Sequence, residues 1–354
     1  RPDGRLMIFY TSIGNRAPEQ WAAISEDDEA RVFRKHPASP LLTLKDHGDL
    51  KIDDWRDPYV FPVGTRWFMV IGGHRAGGKG GILLYQSDDL DHWTFRGIAH
   101  EGVENNWECP NLIRIGERWV LIYSPHGPVR YKTGTLDLTE GKFTAQVEGV
   151  VDPGNYYAPN GLNDASGRHV LWGWINGFPE GQGWNGCLTL PRVLGLTSDG
   201  RLTQQPLPQL QKLRGERLTT ANLNLDSSRQ ALGSWKDTSW EISLTVARRS
   251  AHRAVLSLLP EGSLTPALEL VWQGDKLLAG GSELTTAAKN PQSLGLRIFR
   301  DRGVVEVFTD DGQCLTKVVA AGDRPWSLAF SADGGQAEFR DIQRWPMRTI
   351  WTAR

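Results

Sequence analysis

Cysteine is scarce. Cys109, Cys187 and Cys314 are the only three in 354 residues. They lie far apart, form no CxxC and cannot all pair, which argues against a disulfide scaffold and a structural zinc site. An excess of one charge is also missing: 40 Lys and Arg stand against 41 Asp and Glu. No polyanion-binding face is indicated, so nucleic acid is not an expected partner. No uninterrupted apolar run approaches the roughly 20 residues of a membrane helix, so a membrane is not expected either. No cleavable leader is visible, and the chain opens on Arg1 and not on Met, so the compartment stays open with a lean to secretion or the periplasm. Neither GxSxG nor HExxH occurs, the eight His are scattered, and no cofactor or metal is expected. Gly73 to Lys79 spells GxxxxGK, but Gly80 stands where a phosphate loop needs Ser or Thr. The following Ile82-Leu83-Leu84-Tyr85 reads as a strand, so this is a glycine-rich hairpin.

Long stretches of helical period are absent too. What is present is 39 Gly and 20 Pro spread along the chain, about one residue in six, as many turns between short strands require. Fifteen Trp are unusual; the residue either fills a β core or offers a flat face for stacking. The chain is expected to be all-β.

Internal similarity refines this. The segment Arg56-Asp57-Pro58-Tyr59 through Gly64-Thr65-Arg66-Trp67 matches Glu108-Cys109-Pro110-Asn111 through Gly116-Glu117-Arg118-Trp119 at an offset of 52. A third copy begins Tyr157-Ala158-Pro159-Asn160, turns at Asp164 to Gly167 and continues with Val170-Leu171-Trp172. Four strands in roughly 45 to 50 residues describe a propeller blade better than a solenoid turn. His92, in an Asp-His-Trp turn, is expected to be structural at a blade end. The first copy starts at Asp3-Gly4-Arg5, which matches a turn and second strand. Its innermost strand is therefore expected on residues upstream of Arg1, because a propeller must close to protect its edges. Beyond Asp237, alternation returns in Trp240–Val246, Ala254–Leu258, Leu268–Trp272, Leu296–Arg300 and Val304–Phe308, the pattern of a β-sandwich. The expected organisation is a partial propeller over 1–206, a linker and first sandwich segment over 207–237, and a sandwich over 238–354.

Chemistry is sought where the inner strands start, because there side chains of different blades converge. The starts are Trp55-Arg56-Asp57, Trp107-Glu108-Cys109 and Tyr156-Tyr157-Ala158. Two carboxylates and an arginine meet at one mouth, each preceded by an aromatic residue. An aromatic wall around acids suits a sugar site. The alternative stays open at this point: a blade-to-blade ion pair over Trp residues that fill the core.

Together these segments, with Gly173-Trp174-Ile175 and Gly183-Trp184 through Leu188-Thr189-Leu190-Pro191-Arg192, resemble glycoside hydrolase family 32, the invertase, levanase and inulinase family. The resemblance implies a five-bladed β-propeller followed by a C-terminal β-sandwich, retaining hydrolysis of β-fructofuranosyl bonds in sucrose or fructan, and no metal. It implies Glu108 as general acid/base, with a carboxyl kept protonated by burial beside Trp107. It implies Asp57 as transition-state stabiliser, and Arg56 as the residue that orients the sugar and keeps the Asp57 carboxylate ionised. Trp55, Trp107, Tyr157, Asn160, Trp174 and Trp184 are the implied substrate-binding positions; Phe178 stands near where many members carry a stacking Trp. The family's nucleophile is the Asp of an Asn-Asp-Pro-Asn-type motif, which does not occur here, so it too is expected upstream of Arg1. Taken literally, the 354 residues are not expected to form a fructosyl-enzyme intermediate. The alternatives are a five-bladed furanosidase of the arabinanase or xylosidase kind, and a non-catalytic fructan-binding protein.

Overall fold

The computed structural model describes residues 1–14, 17–286, 291–319 and 324–351, and these are built almost wholly from β-strands. The first sheet has three strands, Met7–Ser12 (β1), Glu19–Ser25 (β2) and Phe33–Lys35 (β3). The second runs Ile52–Val63 (β4), Arg66–Arg75 (β5), Gly80–Ser87 (β6) and Thr94–Glu101 (β7). The third runs Glu108–Ile115 (β8), Arg118–Ser124 (β9), Val129–Asp137 (β10) and Lys142–Asp152 (β11). Both are four-stranded antiparallel meanders, as the repeat predicts. The fourth sheet contains Tyr157–Asn163 (β12), His169–Ile175 (β13), the two-residue Cys187–Leu188 (β14) paired to β13, Arg192–Leu196 (β15) and Leu202–Pro206 (β16).

The turns that set the repeat have a local cause. Gly64, Gly116 and Gly167, the turn residues of the three copies, have φ of 62, 60 and 76°, the left-handed region that glycine enters without a Cβ clash. The GxxxxGK stretch forms the end of β5 and the turn that leads into β6. His92 sits in the β6–β7 turn with Nδ1 2.8 Å from Asp89 Oδ2, and the Asp89 carboxylate also accepts the His92 amide.

The chain divides into two compact units. One comprises Arg1–Val150, Ala158–Gly161 and Leu196–Arg201; the other comprises Val151–Tyr157, Leu162–Gly195 and Leu202–Arg354. In the first unit, apolar residues from facing sheets form two clusters. Leu42, Ile52, Trp55, Met69 and Tyr85 form one, with Phe9 of the first sheet packed against it, and Phe61, Val70, Leu84, Trp107, Leu112 and Tyr123 join the second and third sheets. In the second unit, one sheet places Leu218–Thr219, Gln336–Pro346, Ser239–Arg248, Ser293–Asp301, Val304–Thr309 and Cys314–Val318 side by side, with Leu223–Asp226 also on Gln336–Pro346. The other places Arg229–Ala231, Trp326–Asp333, Arg253–Pro260, Leu268–Gln273, Lys276–Ala279 and Ser282–Thr285 in that order. Inward residues of both, among them Trp240, Ile242, Leu244, Leu256, Leu258 and Phe330, make one core, so the alternation read from the sequence produces a sandwich.

Also in the second unit, Arg192 of the Leu-Thr-Leu-Pro-Arg segment is fully buried. It pairs with Asp152 at 3.0 Å and Glu306 at 2.8 Å, donates to Thr316 Oγ1 at 2.7 Å, and lies over the Tyr156 ring. A buried guanidinium is tolerable because two carboxylates and a hydroxyl meet its Nη donors.

Candidate active site

The site begins as an irregularity in two strands. β4 loses register with β5 between Asp53 and Arg56 and again between Arg56 and Tyr59, and β8 loses register with β9 between Glu108 and Asn111. At the same position of three successive copies the backbone is left-handed: Asp57 has φ 66°, Cys109 45° and Ala158 46°. Such conformations are uncommon for residues with a Cβ, and bulges of this kind re-aim side chains at sheet margins. Here they turn three inner strands toward one cavity of about 360 Å³ in the first unit, whose lining includes Thr11, Asp57, Tyr59, Cys109, Asn111 and Asn160.

Asp57 is held on both sides. Its amide donates to Thr11 Oγ1 at 3.0 Å, and the Thr11 hydroxyl donates to Gln20 Oε1 at 2.8 Å. Its Oδ2 accepts the Cys109 amide at 2.9 Å and faces the Cys109 thiol at 3.6 Å. Burial, and secondarily the Asp57 charge, push the Cys109 thiol well above its ordinary range, so it is a protonated donor and not a thiolate. Asn111 Nδ2 donates to the carbonyls of Cys109 and Pro159, which fastens β8 to the start of β12 within the same unit.

Glu108 is mostly buried and faces an arginine and a histidine side chain. Arg56 Nη2 donates to its Oε1, and His126 Nε2 lies 3.1 Å from the same oxygen. The second Arg56 nitrogen, Nη1, reaches Asp54 at 3.0 Å. Burial works against the Arg56 charge, but its bonds to Glu108 and Asp54 outweigh this and hold its pKa above the usual arginine value. The expectation that Arg56 guards the Asp57 carboxylate is corrected: its guanidinium serves Glu108 and Asp54, because the left-handed turn at Asp57 points that carboxylate to Cys109 instead.

The expected aromatic wall is corrected as well. Trp55 and Trp107 are completely buried and offer no face to a ligand. Trp55 donates Nε1–H to the Tyr85 hydroxyl at 2.8 Å; Trp107 stacks on Tyr123 at 3.8 Å and donates to Glu104 at 3.0 Å. One residue before Arg56 and before Glu108, the side chain points into the sheet packing, as strand alternation requires. Asn160 is exposed and lines the cavity; Tyr157 is half-buried and belongs to the second unit. Trp174 and Trp184, also in the second unit, are 36% and 50% exposed, and Trp184 meets Phe178 edge to face at 4.8 Å. Thr11, Cys109 and His126 were not singled out from the sequence. Cys109 had a signal, since it aligns with Asp57, whereas the Ser-Pro-His-Gly turn carrying His126 lies outside the repeat's matched positions.

Residues 1–206 match the Glycosyl hydrolases family 32 N-terminal domain, and residues 209–346 match the Glycosyl hydrolases family 32 C terminal. The chain belongs to glycosyl hydrolase family 32. Its fold is accordingly that of the family, a five-bladed propeller domain, to which these residues contribute four sheets, and a β-sandwich domain. Among curated relatives, sucrose-6-phosphate hydrolase of Salmonella typhimurium is 28% identical over 98% of this chain and 76% of its own length. The Bacillus subtilis sucrose-6-phosphate hydrolase is 33% identical over 60% of this chain, a match spanning half of that protein. The GH32 beta-fructofuranosidase of Bombyx mori superposes with TM-score 0.81 at 23% identity, covering 99% of this chain and 78% of the other. Fructan 1-exohydrolase IIa of Cichorium intybus does so with TM-score 0.86 at 18% identity, covering 99% and 82%. Family 32 structures have been solved with sucrose and with 1-kestose bound.

Proposed function

We propose that the complete protein is a retaining β-fructofuranosidase acting on sucrose or a fructan, with Glu108 as acid/base and Asp57 as stabiliser of the fructosyl transition state. The observation that supports this most directly is that Asp57 lines the cavity while its carboxylate is bonded to the amide of the residue next to Glu108. One acid is fixed by backbone and cannot swing; the other is held through its side chain and can change partners.

In this reading the Glu108 carboxyl gives its proton to the glycosidic oxygen as the bond to the fructosyl anomeric carbon breaks, the electron pair staying on that oxygen. Positive charge grows on the sugar ring, and Asp57, bonded to the ring hydroxyls, gains strength as it grows. A third carboxylate, the nucleophile of the retaining mechanism, closes the fructosyl-enzyme bond. Water then attacks, Glu108 takes its proton, and fructose leaves with its configuration retained. Arg56 turns from Glu108 to a fructosyl hydroxyl on binding, and Asn160 supplies a further polar contact; exposed Trp174 and Trp184 are assigned to stacking on sugar.

The test is hydrolysis of sucrose, inulin and levan by the full-length protein, with product stereochemistry followed by NMR. Release of fructose that first appears in the β configuration supports the reading. Cleavage of arabinosides alone would replace it with a furanosidase of another kind, and saturable fructan binding without any cleavage would replace it with a binding protein.

A further inference from the structure

Glu108 Oε1 takes contacts from two different elements. Arg56 comes from β4, and His126 comes from the connection between β9 and β10. The placement of His126 follows from the chain. Ser124 pairs with Glu108 across β8 and β9, Pro125 ends the ladder, and His126 takes a left-handed φ of 59° that folds its ring back over the residue paired two positions earlier. A non-glycine residue in that conformation within a Pro-His-Gly-Pro turn is a local strain kept for a reason. The ring contributes little to packing, since its side chain is 62% exposed.

We propose that His126 is a positioning residue for the acid/base: its Nε2–H holds Oε1 of Glu108 so that the proton is carried and delivered on Oε2. This rests on the acid/base reading of Glu108. An oxygen that accepts both a guanidinium and an imidazole N–H has its lone pairs engaged, so the two carboxyl oxygens are no longer equivalent. When a sugar hydroxyl draws Arg56 away, the His126 contact remains to help keep Glu108 pointed at the leaving oxygen. The titratable groups facing this point include Glu108 on β8, Arg56 and Asp54 on β4, and His126 itself; Asp57 is bonded to Cys109.

The experiment compares full-length wild type with His126→Ala and His126→Gln on sucrose and on an aryl β-fructofuranoside with a good leaving group. On sucrose, His126→Ala is expected to lower kcat about 10-fold or more with KM within about twofold, in the range that a positioned proton donor supplies. Its alkaline limb should move to higher pH, because the carboxylate form has lost a donor. On the aryl fructoside, which needs little protonation, the loss should shrink to within about threefold, and His126→Gln, which keeps an N–H at similar reach, should recover most of the sucrose rate. Equal losses on both substrates, an unmoved pH profile, or a rise in KM alone would overturn the proposal. A wild type without turnover would defeat the activity reading but still leave a decision: the Glu108 carboxyl, followed by ¹³C NMR in wild type and His126→Ala, must titrate at a higher pH in the variant. An unchanged midpoint would overturn the proposal on its own.

Discussion

Arg56 and Glu108 are ion-paired at 52 residues' separation, and the next residue of each, Asp57 and Cys109, is bonded at the same separation. The repeat length therefore equals the sequence separation of both bonded pairs. One blade supplies Arg56 and Asp57 and its neighbour Glu108 and Cys109, because a register break with a left-handed residue recurs at the same place in both.

The first expectation concerns Glu108. Glu108→Gln is nearly isosteric and keeps an acceptor for Arg56, so the fold should be retained, with Tm within a few degrees. Turnover of sucrose should fall by about 10² to 10⁴, the usual contribution of a positioned proton donor. Turnover within threefold of wild type, measured beside an unchanged melting curve, would remove Glu108 from the mechanism.

Asp57→Asn tests the fixed acid. Asn tolerates the left-handed φ of 66° and its amide oxygen can still accept the Cys109 amide, so structure should survive. What is lost is the negative charge under the developing cation. A fall in kcat of about 10²-fold or more is expected, in line with the loss of one preorganised electrostatic group. Asp57→Ala should be less stable than Asp57→Asn, since Ala is strained at this φ and leaves the Cys109 amide without that partner.

Gly72 shows how tightly the acid strand is seated. A Cβ added there would collide with the backbone carbonyl of Trp107, immediately before Glu108. Gly72→Ala should push the start of β8 outward, lower stability by about 1–3 kcal/mol and depress turnover more than a distant substitution of equal stability effect. Gly64→Ala, with open space around it but a left-handed φ of 62°, is the control: destabilised, with turnover per folded molecule unchanged.

Much of this was legible before any coordinates. Trp67 and Trp119, Gly64 and Gly116, and the offset of 52 identify the blades because turn glycines and strand alternation are local properties of sequence. The acids Asp57 and Glu108 were legible for the same reason, being at matched positions. Partners were not. The sequence shows that Arg56 precedes Asp57, but adjacent residues on a strand point to opposite sides, and a left-handed residue reverses that again, so only backbone geometry reveals that Arg56 serves Glu108. Trp55 and Trp107 were misread as a stacking wall because a buried indole and an exposed one look identical in sequence; the fully buried pair and the exposed Trp184 separate only by packing.

That separation is measurable. Trp107→Ala should lower stability by about 3–5 kcal/mol, the range for a large aromatic removed from a packed core, and it strips Tyr123 of its stacking partner. Trp184→Ala, half exposed, should change stability by no more than about 0.5 kcal/mol. If Trp184 stacks on substrate, its loss appears instead as a higher KM for fructan. A large loss of stability for Trp184→Ala, or none for Trp107→Ala, would contradict the assignment of the two rings.

His169, at the start of β13, gives a stability test independent of catalysis. It is buried, its Nδ1 lies 3.0 Å from Asn163 Oδ1, and burial pushes its pKa down to about 4 from an ordinary 6.5. The folded protein thus holds this ring neutral at pH values where the unfolded chain already binds a proton. Above about 6.5 both states are neutral and His169 contributes no pH dependence. As pH falls from about 6.5 to about 4, protonation favours the unfolded chain, and below about 4 both states are protonated and the loss levels off. The full window corresponds to about 3 kcal/mol from this one side chain. His169→Asn keeps an N–H for Asn163 but cannot titrate. It should be less stable than wild type at neutral pH, from the smaller side chain, yet its Tm should decline more gently between pH 6.5 and 4.5. Parallel Tm curves for the two proteins across that interval would show that the folded state protonates His169 as readily as the unfolded one.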